Sequence, residues 1–212
     1  MARASSFGGV ILAAGESSRM GRDKALLPWP PLAEGQASTR ETFLSAAIRT
    51  LGLSTDFVVI VAGENEATLA PMAYANGASV VTNPDPTQGQ FSSLQVGLRE
   101  VLNRGRDGAI VTLVDRPPAS AATVHSLRDA FDVAPHMVWA VVPEFSGKHG
   151  HPYVVGREMI EQFLQAPPTA SAREIEHGLQ EHIQYFAVDD PFLALNINTP
   201  EDYAVLLAKS LR

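Results

Sequence analysis

The apolar positions of this chain fall into two spacings. Unbroken short runs at residues 10–13, 57–62, 80–82 and 109–114 read as strands buried on both faces, because such strands have no polar side. Between them, Phe43, Ala46, Ala47, Ile48 and Leu51 recur at helical spacing, and so do Leu94, Leu98, Val101 and Leu102. Helices are therefore predicted over 42–51 and 91–102. Further helices are predicted over 120–131, with Ser120 as N-cap, and over 172–181, with shorter strands at 137–142, 153–155 and 185–188. The last helix has a defined start: Thr199 as N-cap, Pro200 in the first helical position, and Glu201 and Asp202 in the first turn. It is predicted to run to about residue 208. Strands alternating with helices, most strands continuous rather than alternating, predict a three-layer α/β fold. Its sheet is mostly parallel, with helices on both faces. Ligands of such sheets bind beyond the carboxyl ends of the strands. Attention therefore falls on 13–24, 82–93, 115–118 and 196–198.

Composition narrows the function classes. A length of 212 residues suits one sizeable α/β domain, so 1–212 is expected to form a single unit. The formal charge is −7. An acidic chain is a poor binder of nucleic acid or membrane surfaces, and neither is expected as a partner. A polyphosphate substrate would need a local positive site and a metal ion beside it. The absence of cysteine excludes disulfides, thiolate zinc sites and iron–sulfur clusters. No apolar run reaches the roughly 18 residues of a membrane span, and the first nine residues lack a signal-peptide core, so a cytoplasmic location is expected.

The stretch Leu12-Ala13-Ala14-Gly15-Glu16-Ser17-Ser18-Arg19-Met20-Gly21-Arg22-Asp23-Lys24 carries the most chemistry. Small residues at 13–15 let a ligand approach the backbone, and consecutive loop amides can cradle an anion. Arg19 and Lys24 supply the positive charge that the whole chain lacks. The dinucleotide fingerprint does not fit, since only Gly15 and Gly21 are present, and the P-loop fails because Gly15 and Gly21 are six apart and Lys24 does not follow Gly21.

This stretch resembles the LAAG-x-S-x-R-M-G-x-x-K signature of nucleotidyltransferases with a Rossmann-like fold. Within them it is most similar to the molybdenum cofactor cytidylyltransferases and their guanylyltransferase relatives, the MobA-like NTP transferases. The resemblance implies that residues 12–18 wrap the NTP phosphates and that Arg19 and Lys24 stabilise the triphosphate and the leaving pyrophosphate. Asn83-Pro84, Gly89 and Ser92-Ser93-Leu94 resemble the family segment that contacts base and ribose, although either serine could instead cap the following helix. Asp115-Arg116-Pro117 resembles the D-x-P motif whose Asp binds Mg²⁺. Asn196-Ile197-Asn198-Thr199-Pro200-Glu201-Asp202 resembles the closing motif whose first residue, here Asn196, completes the metal site. Gly150-His151-Pro152 matches a G-H-P on the acceptor side, which implies that His151 contacts the acceptor. A zinc site on His149 and His151 is not supported, because there is no third evident ligand. The resemblance runs from about residue 10 to 207. Residues 29–40 look like an insertion bordering the site. Of the remaining residues, Trp139 is expected in a strand and in the core, and His125, His136, His177 and His182 on the surface or on helices.

The reaction so implied moves a nucleoside monophosphate from an NTP to a phosphorylated acceptor. CTP is favoured over GTP and molybdopterin over other acceptors, although the N-x-N form of the closing motif leans toward GTP. A function of another class is binding the cofactor and handing it to a molybdenum hydroxylase. A dinucleotide oxidoreductase is excluded by the glycine pattern.

Overall fold

The computed structural model describes residues 6–15, 17–31 and 41–210. Most of the stretch 29–40 therefore lies outside the described residues, as does Glu16.

β1 (Phe7–Leu12) is buried along its whole length and lies inside the sheet. It pairs in parallel with β2 (Phe57–Ala62) on one side and β4 (Gly108–Leu113) on the other, with Val10 opposite both Val59 and Val111. β3 (Ser79–Thr82) extends the parallel ladder beyond β2. Past β4 the direction reverses and then returns. β7 (Tyr153–Gly156) is antiparallel to β4 and to β5 (Ala140–Phe145), and β8 (Ile183–Ala187) is parallel to β5. A short β6 (Lys148–His149) folds back on β5 through Ser146 and Gly147, both at positive φ (50° and 73°), as a tight two-residue hairpin requires.

Helices cover both faces, as the continuous apolar strands predict. α1 (Phe43–Gly52), α2 (Glu66–Ala75) and α4 (Ala121–Val133) pack on one face. α3 (Gln90–Asn103), α5 (Arg157–Gln165) and α6 (Ala172–Gly178) pack on the other. Thr42 caps α1 through a reciprocal box with Ser45, and Ser120 caps α4 by accepting the Thr123 N–H. α7 (Pro200–Ser210) closes the chain. Its cap is reciprocal too: the Asp202 N–H donates to Thr199 Oγ1 at 3.2 Å while Asp202 Oδ2 accepts the Thr199 N–H at 3.0 Å. Hydrogen bonds donated to the carboxylate by the Asn198 and Thr199 N–H groups hold the Asp202 carboxyl below its ordinary range. Among the described residues no helix is long and apolar enough to cross a membrane.

Several elements depart from the sequence reading. α2 was not predicted, because only Leu69 and Ala73 of its ten residues are buried and Pro71 lies inside it. α5 was not predicted either. Met159, Ile160 and Phe163 do form an apolar stripe, but the helix follows β7 with no intervening loop. β5 begins at Ala140 rather than at 137. Trp139 lies just before it, half-buried, with its ring stacked 3.5 Å from His182, so it is not the core strand residue expected. Helix α6 stops at Gly178, and Gln180–His182 form a separate 3₁₀ turn.

The α3–α5 contact sets the angle of the helix whose N-terminus borders the cleft described next. Phe91 and Phe163 meet edge to face, ring centroids 5.7 Å apart, and Gln95 Nε2 donates to the Phe163 and Ala166 carbonyls at 2.7 and 2.8 Å. Phe163 is fully buried. Phe163→Ala is expected to lower stability by about 3–5 kcal/mol through lost transfer energy and an unfilled cavity. Urea unfolding checks this, and a loss below about 1 kcal/mol would show that α5 does not anchor α3.

Candidate active site

The loop after β1 is pinned at both ends. The Ala13 N–H donates to the Val61 carbonyl at 2.8 Å, so the chain leaves the sheet only at Ala14. Asn65, in the loop after β2, then braces it. Its Nδ2 donates to the Ala13 carbonyl at 2.9 Å and to Asp23 Oδ2 at 2.8 Å, and its Oδ1 accepts the Gly63 N–H. Asp23 Oδ1 accepts the Ala25 N–H at 2.9 Å and so caps the turn Lys24–Leu26. Ser17, at φ 53°, accepts the Lys24 N–H on Oγ. Held in this way, Ala14, Gly15 and Ser17 line a cavity of about 680 Å³ together with Arg19, Lys24 and Asp115. Glu64 and Asn65 line it as well. Sequence reasoning missed both, although their place after the second strand was a usable signal.

Asp115 sits just past β4, and the Ile197 N–H donates to its carbonyl at 2.8 Å. This contact carries the segment before α7 into the site. The Lys24 ammonium donates to Asn198 Oδ1 at 2.8 Å and lies 3.9 Å from Asp115 Oδ2. Arg19 reaches the same amide oxygen at 3.4 Å. Asn198, not Asn196, therefore faces the cleft. Asn196 is exposed and does not line the cavity, whereas Asn198 lines it and is held there by Lys24 and Arg19. Asp115 Oδ1 is buried and has no hydrogen-bond partner among the described residues. A cation already sits between a carboxylate and an amide oxygen, and one carboxylate oxygen is unused. That set of hard oxygen donors suits a divalent ion that keeps several waters and shares phosphate oxygens with its substrate.

A second cavity, of about 240 Å³, adjoins the first and shares Ala14, Gly15, Lys24 and Asp115 with it. Leu12, Gly89 and Ser93 complete it. Gly89 has φ 102° and nothing stands where a Cβ would project, so the loop approaches the cleft with bare backbone. Asn83 and Ser92 do not reach this space. Asn83 is buried, donating to Ser92 Oγ at 2.8 Å and Ser93 Oγ at 2.9 Å and accepting the Asp85 N–H. The pair braces the loop from behind. Neither serine caps α3, since Ser92 Oγ donates back to the Gly89 carbonyl and Gly89 itself is the N-cap.

A third cavity, of about 640 Å³, opens on the other side of Leu12 and Leu113. Arg116, His151, Arg173 and Glu176 line it, with Phe91 and Tyr153 as aromatic walls. His151 is held by its N–H to the Leu193 carbonyl (3.2 Å), and the preceding Gly150 is obligatory, because a Cβ there would fall 2.0 Å from Leu193. The His151 ring packs against Tyr153 at 5.1 Å. Burial, with Arg116 adding repulsion, pushes its pKa from 6.5 down to about 3. Burial also lowers the Arg116 guanidinium and raises the Glu176 carboxyl. His149 lines this cavity as well, its ring stacked on Tyr185 at 4.0 Å and its Nε2 3.1 Å from Glu144. Of the sequence-derived residues, Leu12, Ala14, Gly15, Ser17, Arg19, Lys24, Gly89, Ser93, Asp115 and His151 thus line one continuous cleft. Ala13, Asn83 and Ser92 support it, and Ser18 lies in the turn Ser18–Met20.

The cation-lined cavities and the cavity beyond Leu12 and Leu113 thus adjoin at the carboxyl ends of β1 and β4. The sequence profile of the MobA-like NTP transferase domain matches residues 9–184, and the chain belongs to that family. It is 26% identical over 197 residues to the molybdenum cofactor cytidylyltransferase of Escherichia coli (strain K12), covering 92% of each chain. It is 31% identical over 206 residues to the molybdenum cofactor guanylyltransferase of Xanthomonas euvesicatoria pv. vesicatoria (strain 85-10), covering 94% of this chain and 93% of the other. The fold superposes on Rv0371c from Mycobacterium tuberculosis H37Rv with a TM-score of 0.79 at 25% identity, over 97% and 98% of the two chains. The manganese complex of that protein superposes with a TM-score of 0.72 at 22% identity, over 96% and 99%.

The His151 shift has a pH signature. Its folded pKa is depressed, so its neutral form is stable above 6.5, and stability falls as pH drops toward about 3, where the unfolded chain binds the proton and the folded chain does not. His151→Gln is expected to flatten that part of the stability–pH profile in urea unfolding. An unchanged slope would show that His151 is solvated and titrates freely.

Proposed function

We propose that this chain transfers CMP from CTP to the phosphate of molybdopterin and releases pyrophosphate. The observation that carries this is the continuity of the phosphate cavity around Lys24 and Asp115 with the acceptor cavity around His151, the two meeting at Leu12 and Leu113. The acceptor phosphate has a second pKa near 6 and is largely dianionic at neutral pH, so its oxygen attacks the α-phosphorus without a general base. A new P–O bond forms, the α–β bridge breaks, and its electron pair leaves on pyrophosphate. Arg19 and Lys24 hold the β- and γ-phosphates and meet the charge that builds there. Asp115 and Asn198, the latter in place of Asn196, would hold Mg²⁺. Bound there, the metal would neutralise and polarise phosphate oxygens. The donor set supports a divalent cation, and the manganese complex of the Mycobacterium relative accords with it. Gly150-His151-Pro152 supports a pterin-bearing acceptor.

GTP as donor is the second reading, favoured by Asn196-Ile197-Asn198 and by the Xanthomonas relative. Pyrophosphate release with molybdopterin and either CTP or GTP separates the two. Release with CTP alone is expected, and release with GTP alone would move the donor. Asp115→Ala is expected to abolish turnover, and Lys24→Ala to reduce it by about 10²- to 10³-fold, the usual cost of one charge-stabilising donor. Normal turnover by Asp115→Ala would overturn the metal assignment.

A further inference from the structure

The cations Arg19 and Lys24 both stand on the triphosphate side of the cleft. The transfer reaction needs a dianionic phosphate to approach a triphosphate, and like charges at contact distance repel strongly where water is scarce. A positive group must therefore meet the acceptor phosphate from the opposite side. Asp115 and Arg116 are consecutive and point to opposite sides of the junction: Asp115 lines the phosphate cavities, and Arg116 lines the acceptor cavity. The hydrogen-bonding capacity of Arg116 is largely unused. NH1 donates to the Leu195 carbonyl across a long 3.3 Å, and Nε is buried without a partner among the described residues. A desolvated guanidinium with unmade hydrogen bonds is costly to keep unless a ligand completes it, and its planar fork matches a phosphate. The neighbouring His151 also has a buried ring nitrogen, Nδ1, without a partner among the described residues. The other cation of this cavity, Arg173, is on α6 and is partly offset by Glu176, while Arg116 is the one next to Asp115.

We propose that Arg116 binds the phosphate of the acceptor and holds it against the α-phosphorus, opposite Arg19 and Lys24. The proposal rests on the nucleotidyl transfer proposed above, and the ligand class is a phosphate monoester. Kinetics of CMP transfer to molybdopterin test it. Arg116→Ala is expected to raise the acceptor KM by about 10- to 100-fold, the range for a lost hydrogen bond to a charged group, with the CTP KM little changed. Arg116→Lys keeps the charge without the fork and is expected to fall between, which guards against loss of fold in the alanine variant. An unchanged acceptor KM, or an equal rise in both KM values, would overturn the proposal. A second measurement does not depend on the acceptor's identity. Inorganic phosphate is titrated into wild type and Arg116→Ala, each saturated with CTP and Mg²⁺, and followed by thermal unfolding. Stabilisation of wild type alone supports the role even if molybdopterin is not a substrate. Equal stabilisation of both, or none of the wild type, would overturn it while leaving nucleotidyl transfer intact.

Discussion

The ammonium of Lys24, held 2.8 Å from the Asn198 amide oxygen and 3.9 Å from the Asp115 carboxylate, joins three loops that are far apart in sequence. A hydrogen bond to a charged group contributes only about 1.5–3 kcal/mol, too little to close a separation of 174 residues by itself. An apolar cluster beneath it does that work. Met20, Leu27, Phe43, Ile197 and Leu206 are all buried together, with Trp29 and Tyr203 packed against them. Tyr203 also donates its hydroxyl to the Pro28 carbonyl at 2.9 Å. Two polar groups of the junction lie close in sequence to residues of this cluster: Asn198 follows Ile197, and Leu27 closes the turn that begins at Lys24.

The electrostatic layout follows from the same arrangement. The chain carries a charge of −7, yet the cleft collects Arg19, Lys24, Arg116 and Arg173 along its length. A negative exterior with a local positive groove admits small polyphosphates and disfavours long anionic polymers. His151 adds no charge at neutral pH, since burial and Arg116 keep it unprotonated. Asp115 thus lies between two cationic ends of the cleft, Arg19 with Lys24 on one side and Arg116 with Arg173 on the other.

Much of this was legible in the chain. β2 was readable to the residue because an unbroken β-branched run has sharp ends, and the caps Ser120 and Thr199 were readable because their side-chain chemistry is local. The loop of 12–24 declared its chemistry through small residues and the cations Arg19 and Lys24. What could not be read is non-local. Alternation puts Asn196 and Asn198 on the same side of Ile197, and what brings Asn198 into the cleft is its contact with Lys24 and Arg19, more than 170 residues away. Asn83 looks like a ligand contact in sequence, but it is spent on Ser92 and Ser93. Asn65 looks like an ordinary loop residue, but it holds Ala13 and Asp23. α2 went unread because only two of its positions are buried, and α5 because nothing separates it from β7.

In the proposed reaction Lys24, Asn198 and Asp115 form one site for a nucleotide and its metal ion. Titration calorimetry of CTP into the protein, with Mg²⁺ and with a chelator in its place, tests this most directly. Affinity should fall by at least about tenfold, some 1.4 kcal/mol, when the metal is removed. Equal affinity with and without Mg²⁺ would contradict the account, because a nucleotide held by Arg19 and Lys24 alone would leave Asp115 with no part in binding.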